Sequence, residues 1–325
     1  MTQLAENLRA FLATAKQSAL VDVASTRGST PREKGAWMLV SSDRIFGTIG
    51  GGQLEYMAIE KARSMLGAAA AARLSAPHPY PLPVKDGERG TSTVVRNDDV
   101  PLSPSLRGEG KGEGQTVRLS VPLGPEIGQC CGGRVELSIR LVGSTLRDRL
   151  MREAETEDAA APHVYIFGGG HVGHALANAL RLLPVRAVIV ETREAELAGL
   201  PEGVEARLTP MPEDIVRDAP AGSAFLILTH DHALDFLIVA EALKRDDAAY
   251  VGMIGSKTKK ATFRSWYLKN AGGNQAAFNR LVSPIGNEHV KDKRPAVIAA
   301  LAAAEVMTAL AYQLAATADV VSQSG

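Results

Sequence analysis

Two adjacent cysteines, Cys130 and Cys131, are the only cysteines in the chain, and they lie in a glycine-rich segment at residues 128–133. A trans peptide bond holds neighbouring side chains apart, so a disulfide between them would be strained. The sequence also lacks the spaced Cys/His set of a structural zinc site. Because the flanking glycines allow close approach of a ligand, we predict a soft sulfur site for a thiophilic metal or for sulfur transfer. The alternative is a pair of small buried side chains.

A second candidate site is the glycine loop formed by Gly168, Gly170 and Gly173, with His171 inside it. An apolar run precedes the loop, helical spacing follows it, and Glu191 ends the next apolar run. This order is typical of a dinucleotide-binding βαβ unit, in which the acid contacts the ribose hydroxyls. Other phosphorylated ligands also bind such loops at the helix N-terminus.

The cluster His230, Asp231 and His232 follows another apolar run, at residues 225–228. In a parallel sheet, ligands bind beyond the carboxyl ends of the strands, so this cluster and the glycine loop are predicted to share one rim. The two histidines have the spacing to bind a metal, but no third or fourth ligand is evident. Hydrogen bonding to a ligand or to the loop itself is therefore the favoured interpretation.

Ser256 and Lys257 follow a third apolar run, at residues 250–251. Backbone amides at a helix start can hold a phosphate, and Lys257 adds a positive charge. The alternative is an ordinary N-cap beside an exposed lysine.

Near the N-terminus, Gly50, Gly51 and Gly52 precede a predicted helix. They form another potential anion cradle, to which Arg32 could supply charge. On this segment alone, a tight turn between a strand and a helix is the favoured alternative.

These segments indicate an α/β protein with two domains. Residues 1–145 are predicted to form an α+β domain, with a flexible insertion at about 77–114, where proline and glycine exclude a packed core. A charged, alanine-rich linker, either helical or loose, is expected at 146–162. Residues 163–325 show the alternation of a Rossmann-like, doubly wound parallel sheet.

Bulk composition excludes several classes of protein. Lysine plus arginine equals aspartate plus glutamate at 36 each, so the chain lacks the basic balance of a general nucleic-acid binder. The alanine-rich stretch 296–316 is long enough for a membrane helix, but Glu305 lies within it and favours a packed terminal helix. Reduced cysteines and the absence of a signal-peptide pattern predict a soluble cytoplasmic protein that does not bind membranes.

Taken together, seven motifs resemble those of the XdhC/CoxI family, in particular its XdhC branch of xanthine dehydrogenase accessory proteins. They occupy residues 28–32, 47–55, 128–133, 166–173, 229–232, 252–257 and 283–286. The resemblance implies a cytoplasmic chaperone, not an enzyme, that binds molybdenum cofactor in its molybdopterin form. It further implies delivery to the molybdenum subunit of apo-xanthine dehydrogenase, contact with a cysteine desulfurase, and a possible homodimer.

On this resemblance, Cys131 is the candidate ligand for the molybdenum of the bound cofactor, with Cys130 beside it. The leading alternative is an NAD(P)-dependent oxidoreductase that uses the Rossmann crevice. It is not favoured, because the sequence shows no convincing set of residues for hydride transfer. A scaffold that binds protein partners without cofactor is a third possibility.

Overall fold

The computed structural model describes residues 3–67, 116–124, 132–286 and 290–323, with side chains to residue 316. The chain divides into two compact units, Leu4–Glu155 and Thr156–Gly325. The predicted insertion at 77–114 and both cysteines lie outside the described residues.

The N-terminal unit is built on an antiparallel sheet with the strand order β3-β2-β1-β5-β4. Its elements are α1 (Gln3–Thr14), β1 (Ser18–Arg27), β2 (Trp37–Ser41), β3 (Ile45–Gly47), α2 (Gly52–Leu66), β4 (Val117–Pro122), β5 (Arg134–Leu141) and α3 (Ser144–Ala160).

Alternation along β1 gives this sheet two apolar faces. Ala19, Val21 and Val23 pack in one cluster with α2, whereas Leu20 packs with α1 and α3. Successive side chains of a strand point to opposite faces, so the sheet lies between α2 and the α1–α3 layer. The unit is therefore a three-layer α+β structure, as predicted.

Helix α3 occupies most of the segment predicted as a linker. Leu146, Leu150 and Ala154 are buried at four-residue spacing and pack with α1. The abundant charges lie on the other positions of the helix and concealed this stripe in the sequence.

The C-terminal unit contains six parallel strands in the order β11-β10-β9-β6-β7-β8. Its elements are β6 (His163–Phe167), α4 (His171–Leu180), β7 (Arg186–Glu191), β8 (Glu205–Leu208), α5 (Pro212–Asp218), β9 (Ala224–Ile227), α6 (His232–Lys244), β10 (Tyr250–Met253), α7 (Lys257–Lys269), α8 (Gln275–Asn279), β11 (Leu281–Val282) and α9 (Pro295–Gln323).

Strand β6 shows why the sheet is covered on both faces. Val164 and Ile166 pack with α4 and α9, whereas Tyr165 and Phe167 pack with α5 to α8. Such a continuous apolar strand is typical of a parallel sheet buried on both sides. The strand order is that of a Rossmann fold, with its topological switch point between β6 and β9, which confirms the predicted fold class.

Helix α9 is the one described helix that is long and apolar enough to cross a membrane, judged by length and composition only. The qualifying stretch is Pro295–Ala316, and 28% of its most apolar window is buried. One side of the helix, including Ala302 and Val306, packs in the apolar layer of the C-terminal unit. Length and composition are therefore weak grounds for a membrane span here.

Candidate functional site

In the glycine loop between β6 and α4, each of three glycines has a different structural role. Gly168 has φ +118°, a conformation that side-chain-bearing residues rarely adopt, and it makes the tight turn. A Cβ at Gly173 would lie 2.0 Å from the carbonyl oxygen of Gly168, so this position allows the helix to pack closely. A Cβ at Gly170 would meet no atom within 4 Å, so the backbone is open there. These are the roles of the three glycines in a phosphate-binding βα turn.

The N-terminus of α4 is open for a ligand. Gly170 is the N-cap residue, and no side chain caps the helix. His171, the first helical residue, is exposed. Uncapped amides and the helix dipole together favour a bound anion.

Glu191 is buried at the end of β7 and is engaged entirely by the protein. Its carboxylate accepts hydrogen bonds from the amides of Gly169 (2.8 Å), Thr192 (2.8 Å) and Arg193 (3.1 Å). Burial raises the pKa of Glu191, but the hydrogen bonds from Gly169 and Arg193 outweigh burial and hold the pKa below its ordinary value. In this arrangement Glu191 fixes the glycine loop instead of presenting a free acceptor to a ribose.

We expect Glu191→Gln to destabilise the protein at pH 7, because the lowered pKa means that the carboxylate is more stable in the folded chain. The higher free energy of unfolding of the wild type is present above the ordinary glutamate pKa of 4.5. It is lost as the pH falls through the folded-state pKa of Glu191. Free energies of unfolding of both proteins between pH 7 and pH 3 measure this effect. Glu194→Gln, at an exposed position of the same turn, is the control. A constant difference across this range would contradict the assignment.

The cluster His230, Asp231 and His232 lies between β9 and α6. Asp231 is the N-cap of α6, and its Oδ1 accepts from the amides of Ala233 (2.7 Å) and Leu234 (3.4 Å). Both histidines are exposed. In the described ranges, which exclude the cysteines, no group of three or more His, Cys, Asp or Glu residues is placed to hold a metal ion. The cluster thus offers one structural carboxylate and two exposed imidazoles.

A buried ion pair beneath this cluster was missed by the sequence analysis. Asp235 in α6 is fully buried, and its Oδ2 pairs with the ammonium of Lys259 in α7, which is 9% exposed. The other oxygen of Asp235 accepts from the amide (2.9 Å) and the hydroxyl (2.7 Å) of Thr229. The pair therefore joins the loop after β9 to the first turn of α7.

The sequence did contain a signal for this pair. Asp235 lies on the same helical stripe as the buried residues Ile238 and Val239, and Lys259 lies on the stripe of Phe263. An acid and a base on two buried stripes need partners in the core, since an isolated buried charge is very costly.

Ser256 is the N-cap of α7, where its hydroxyl accepts from the amide of Lys259 at 3.2 Å. Lys257 is exposed in the first turn. Ser256 therefore caps α7, which is the alternative to a phosphate site that the sequence also allowed. The structure places this cap at the carboxyl end of β10, on the same edge of the sheet as the loop after β9.

The loop 283–286 is anchored to α9 through Glu305. The Glu305 carboxylate accepts from the hydroxyl of Tyr250 (2.8 Å) and from the amide of Gly286 (3.0 Å). The mid-helix acid that argued against a membrane span therefore has a structural role.

In the N-terminal unit, the loop 28–32 meets two other glycine segments. A Cβ at Gly50 would lie 2.9 Å from Pro31, and a Cβ at Gly133 would lie 2.2 Å from the carbonyl oxygen of Ser29. Ser29 also forms an isolated parallel bridge with Gly132. Three motifs that are distant in sequence thus converge.

The turn of Gly50, Gly51 and Gly52 already holds a carboxylate of the protein. Glu55 Oε2 accepts from the amides of Ile49 (3.2 Å) and Gly51 (3.1 Å), and also from the hydroxyl of Thr48. The tight turn favoured from the sequence is therefore what the hydrogen bonds show. Arg32 is exposed, and its side chain lies next to Gly50.

Comparison with known proteins adds two family matches and a solved structure. The family model described as the XdhC Rossmann domain matches residues 164–306, and the one described as the XdhC and CoxI family matches residues 11–75. A crystal structure named as a xanthine dehydrogenase from Bacillus halodurans is similar with a TM-score of 0.68. The similarity covers 96% of each chain at 16% identity, which shows the fold alone. No curated protein matches the chain.

Proposed function

Because the chain belongs to the XdhC and CoxI family, we propose that it acts in the maturation of xanthine dehydrogenase. In this role it binds molybdenum cofactor as cargo, shields it during sulfuration and delivers it to the apoenzyme. The chain is then a carrier and not an enzyme, and no catalytic residue is proposed. Its partners are the molybdenum subunit of apo-xanthine dehydrogenase and a cysteine desulfurase, both met in the cytoplasm.

The open glycine loop is the observation that carries this proposal. Molybdopterin presents a phosphate, a polar pterin and a molybdenum held by two sulfurs. The uncapped start of α4, with open backbone at Gly170, fits the phosphate. The exposed side chains of His171, at the start of α4, and of His230 and His232, before and at the start of α6, suit hydrogen bonding to the pterin.

The cysteines supply the remaining chemistry of the proposal. A thiolate is a soft ligand that suits molybdenum, and Cys131 is the proposed ligand, with Cys130 as its neighbour. The residues that directly follow them, Gly132 and Gly133, cross the loop 28–32 at close range. These contacts hold Gly132 and Gly133, the described residues that directly follow the cysteines in sequence, against Ser29.

We expect the wild type, purified anaerobically from a host that makes the cofactor, to contain molybdenum and pterin in near-equal amounts. In Cys131→Ala, molybdenum is expected to fall by about tenfold or more, because the thiolate ligand is lost. Metal analysis and pterin fluorescence on the same samples measure both species. Cys130→Ala is the matched control, with a smaller loss expected. Full molybdenum content in Cys131→Ala would remove the thiol from the proposal.

The oxidoreductase alternative shares the glycine loop, which also fits a dinucleotide. Against it, the oxygens of Glu191 are occupied by donors of the protein. This alternative would be favoured if the purified protein contained neither molybdenum nor pterin and bound NADH tightly, as seen by energy transfer from tryptophan. Partner binding without either ligand would instead favour a scaffold.

A further inference from the structure

Two arginines face each other across strands β1 and β5. Arg27 and Arg134 are direct register partners at the ends of these strands, and both are exposed. Directly opposed residues of an antiparallel pair place their side chains on the same face, where like charges destabilise the sheet. The strand register therefore places two arginines side by side on one face of the sheet.

The neighbouring acids are engaged elsewhere. On the same face, Asp22 pairs with Arg140 at 2.8 Å, and Glu136 accepts from the hydroxyl of Ser25 at 3.0 Å. Arg134 donates to the hydroxyl of Ser120 at 3.2 Å. Among the described residues, neither Arg27 nor Arg134 takes part in an ion pair. Glu136 keeps its charge when it accepts from a hydroxyl and lies two residues along β5 from Arg134, but among the described residues it forms no ion pair with either arginine.

Three glycines adjoin this arginine pair in sequence. Gly28 follows Arg27, and Gly132 and Gly133 precede Arg134. A Cβ at Gly28 would lie 3.2 Å from the Cα of Gly133, and a Cβ at Gly133 would lie 2.2 Å from the carbonyl oxygen of Ser29, so the backbone is closely packed at both positions. Gly132 has φ +61°, and among the described residues a Cβ there would meet no atom within 4 Å. The main chain next to the pair is therefore open to close approach by a ligand at Gly132.

We infer that Arg27 and Arg134 form an anion site for the phosphate or diphosphate group of a small ligand. A bound phosphate would convert the repulsion between the two guanidinium groups into two attractive contacts, each with planar donors that match phosphate oxygens. The site belongs to the N-terminal unit, whereas the rim of the parallel sheet belongs to the C-terminal unit. It goes beyond the proposed function, since it requires neither molybdenum nor pterin.

Titration calorimetry of the full chain with inorganic pyrophosphate at low ionic strength tests this site. We expect Arg27→Gln and Arg134→Gln each to weaken pyrophosphate binding by about tenfold to a hundredfold, as for loss of a charged hydrogen bond. The matched control is Arg118→Gln, because Arg118 is an exposed arginine on the same face of β4 that is not opposed by another arginine. Its affinity should equal that of the wild type.

A second measurement separates binding from folding. Without pyrophosphate, Arg134→Gln should be at least as thermally stable as the wild type, since one of two repelling charges is removed. Pyrophosphate should then raise the melting temperature of the wild type more than that of this variant. Three results would each overturn the inference. They are unchanged affinity and stoichiometry in both variants, an equal weakening of binding in Arg118→Gln, and no pyrophosphate binding by the wild type. None of these results depends on whether the protein carries molybdenum cofactor.

Discussion

Lys259→Met is expected to destabilise the C-terminal unit by about 3–5 kcal/mol, because it leaves the carboxylate of Asp235 buried without its cation. Asp235 is fully buried and also accepts two hydrogen bonds from Thr229, so the uncompensated charge cannot turn to water without breaking the loop. Denaturant unfolding followed by circular dichroism measures the loss.

Two further variants identify the cause. Lys260→Met, which changes the next lysine of α7 at a less buried position, is expected to stay within about 0.5 kcal/mol of the wild type. The double variant Asp235→Asn with Lys259→Met should be less destabilised than the sum of the two single changes, since neither charge is then left alone. Simple additivity would mean that the two residues do not act as a pair.

Gly173→Ala is expected to cost about 3 kcal/mol, the upper end of the usual cost of overpacking. The added methyl would lie 2.0 Å from the carbonyl oxygen of Gly168, and a backbone atom cannot move aside as a flexible side chain can. Helix α4 would have to move away from β6, which breaks the loop that ends at its first turn. Thermal unfolding of the purified variant gives the measurement.

Gly170→Ala is the matched control, and it separates stability from binding. Its φ of −72° suits alanine, and the new methyl would meet nothing within 4 Å. We expect a stability change of no more than about 1 kcal/mol, the cost of a poorer N-cap. If the open start of α4 holds the phosphate as proposed, the methyl would crowd it, and bound molybdenum should fall by about tenfold. Wild-type cofactor content in this variant would place the cargo away from the loop.

Local patterns predicted the elements better than they predicted the contacts between them. Strand β5, Arg134–Leu141, alternates regularly between polar and apolar residues, a pattern that is read directly from the sequence. The fold of the C-terminal unit also followed from sequence, since each apolar run and each glycine turn is read within a short window. A helix was one of the two forms expected for the linker at 146–162, but the charges of α3 outnumber the three residues that it buries, so its packing was harder to predict.

The positions of the candidate site residues in the fold were predicted from the sequence, and their ligand-binding roles stay a prediction. The glycine loop, Asp231 and Ser256 lie at strand ends as expected, but Asp231 and Ser256 are helix caps. The pairings of Asp235 with Lys259 and of Arg27 with Arg134 depend on helix packing and strand register. Those relations join distant parts of the chain, so the sequence can show that a buried charge needs a partner but does not show which residue is that partner.

The attachment of α9 has a consequence for synthesis on the ribosome. This helix follows all the strands of the C-terminal unit in sequence, yet Ala302 and Val306 complete one face of the parallel sheet and Glu305 ties down Gly286. Because domains fold as units during translation, the strands that carry the glycine loop stay exposed on that face until α9 has emerged. The N-terminal unit has its own core and needs no such delay. The proposed ligand site at the rim can therefore form only after α9 has been made, whereas the arginine pair can form earlier on the nascent chain.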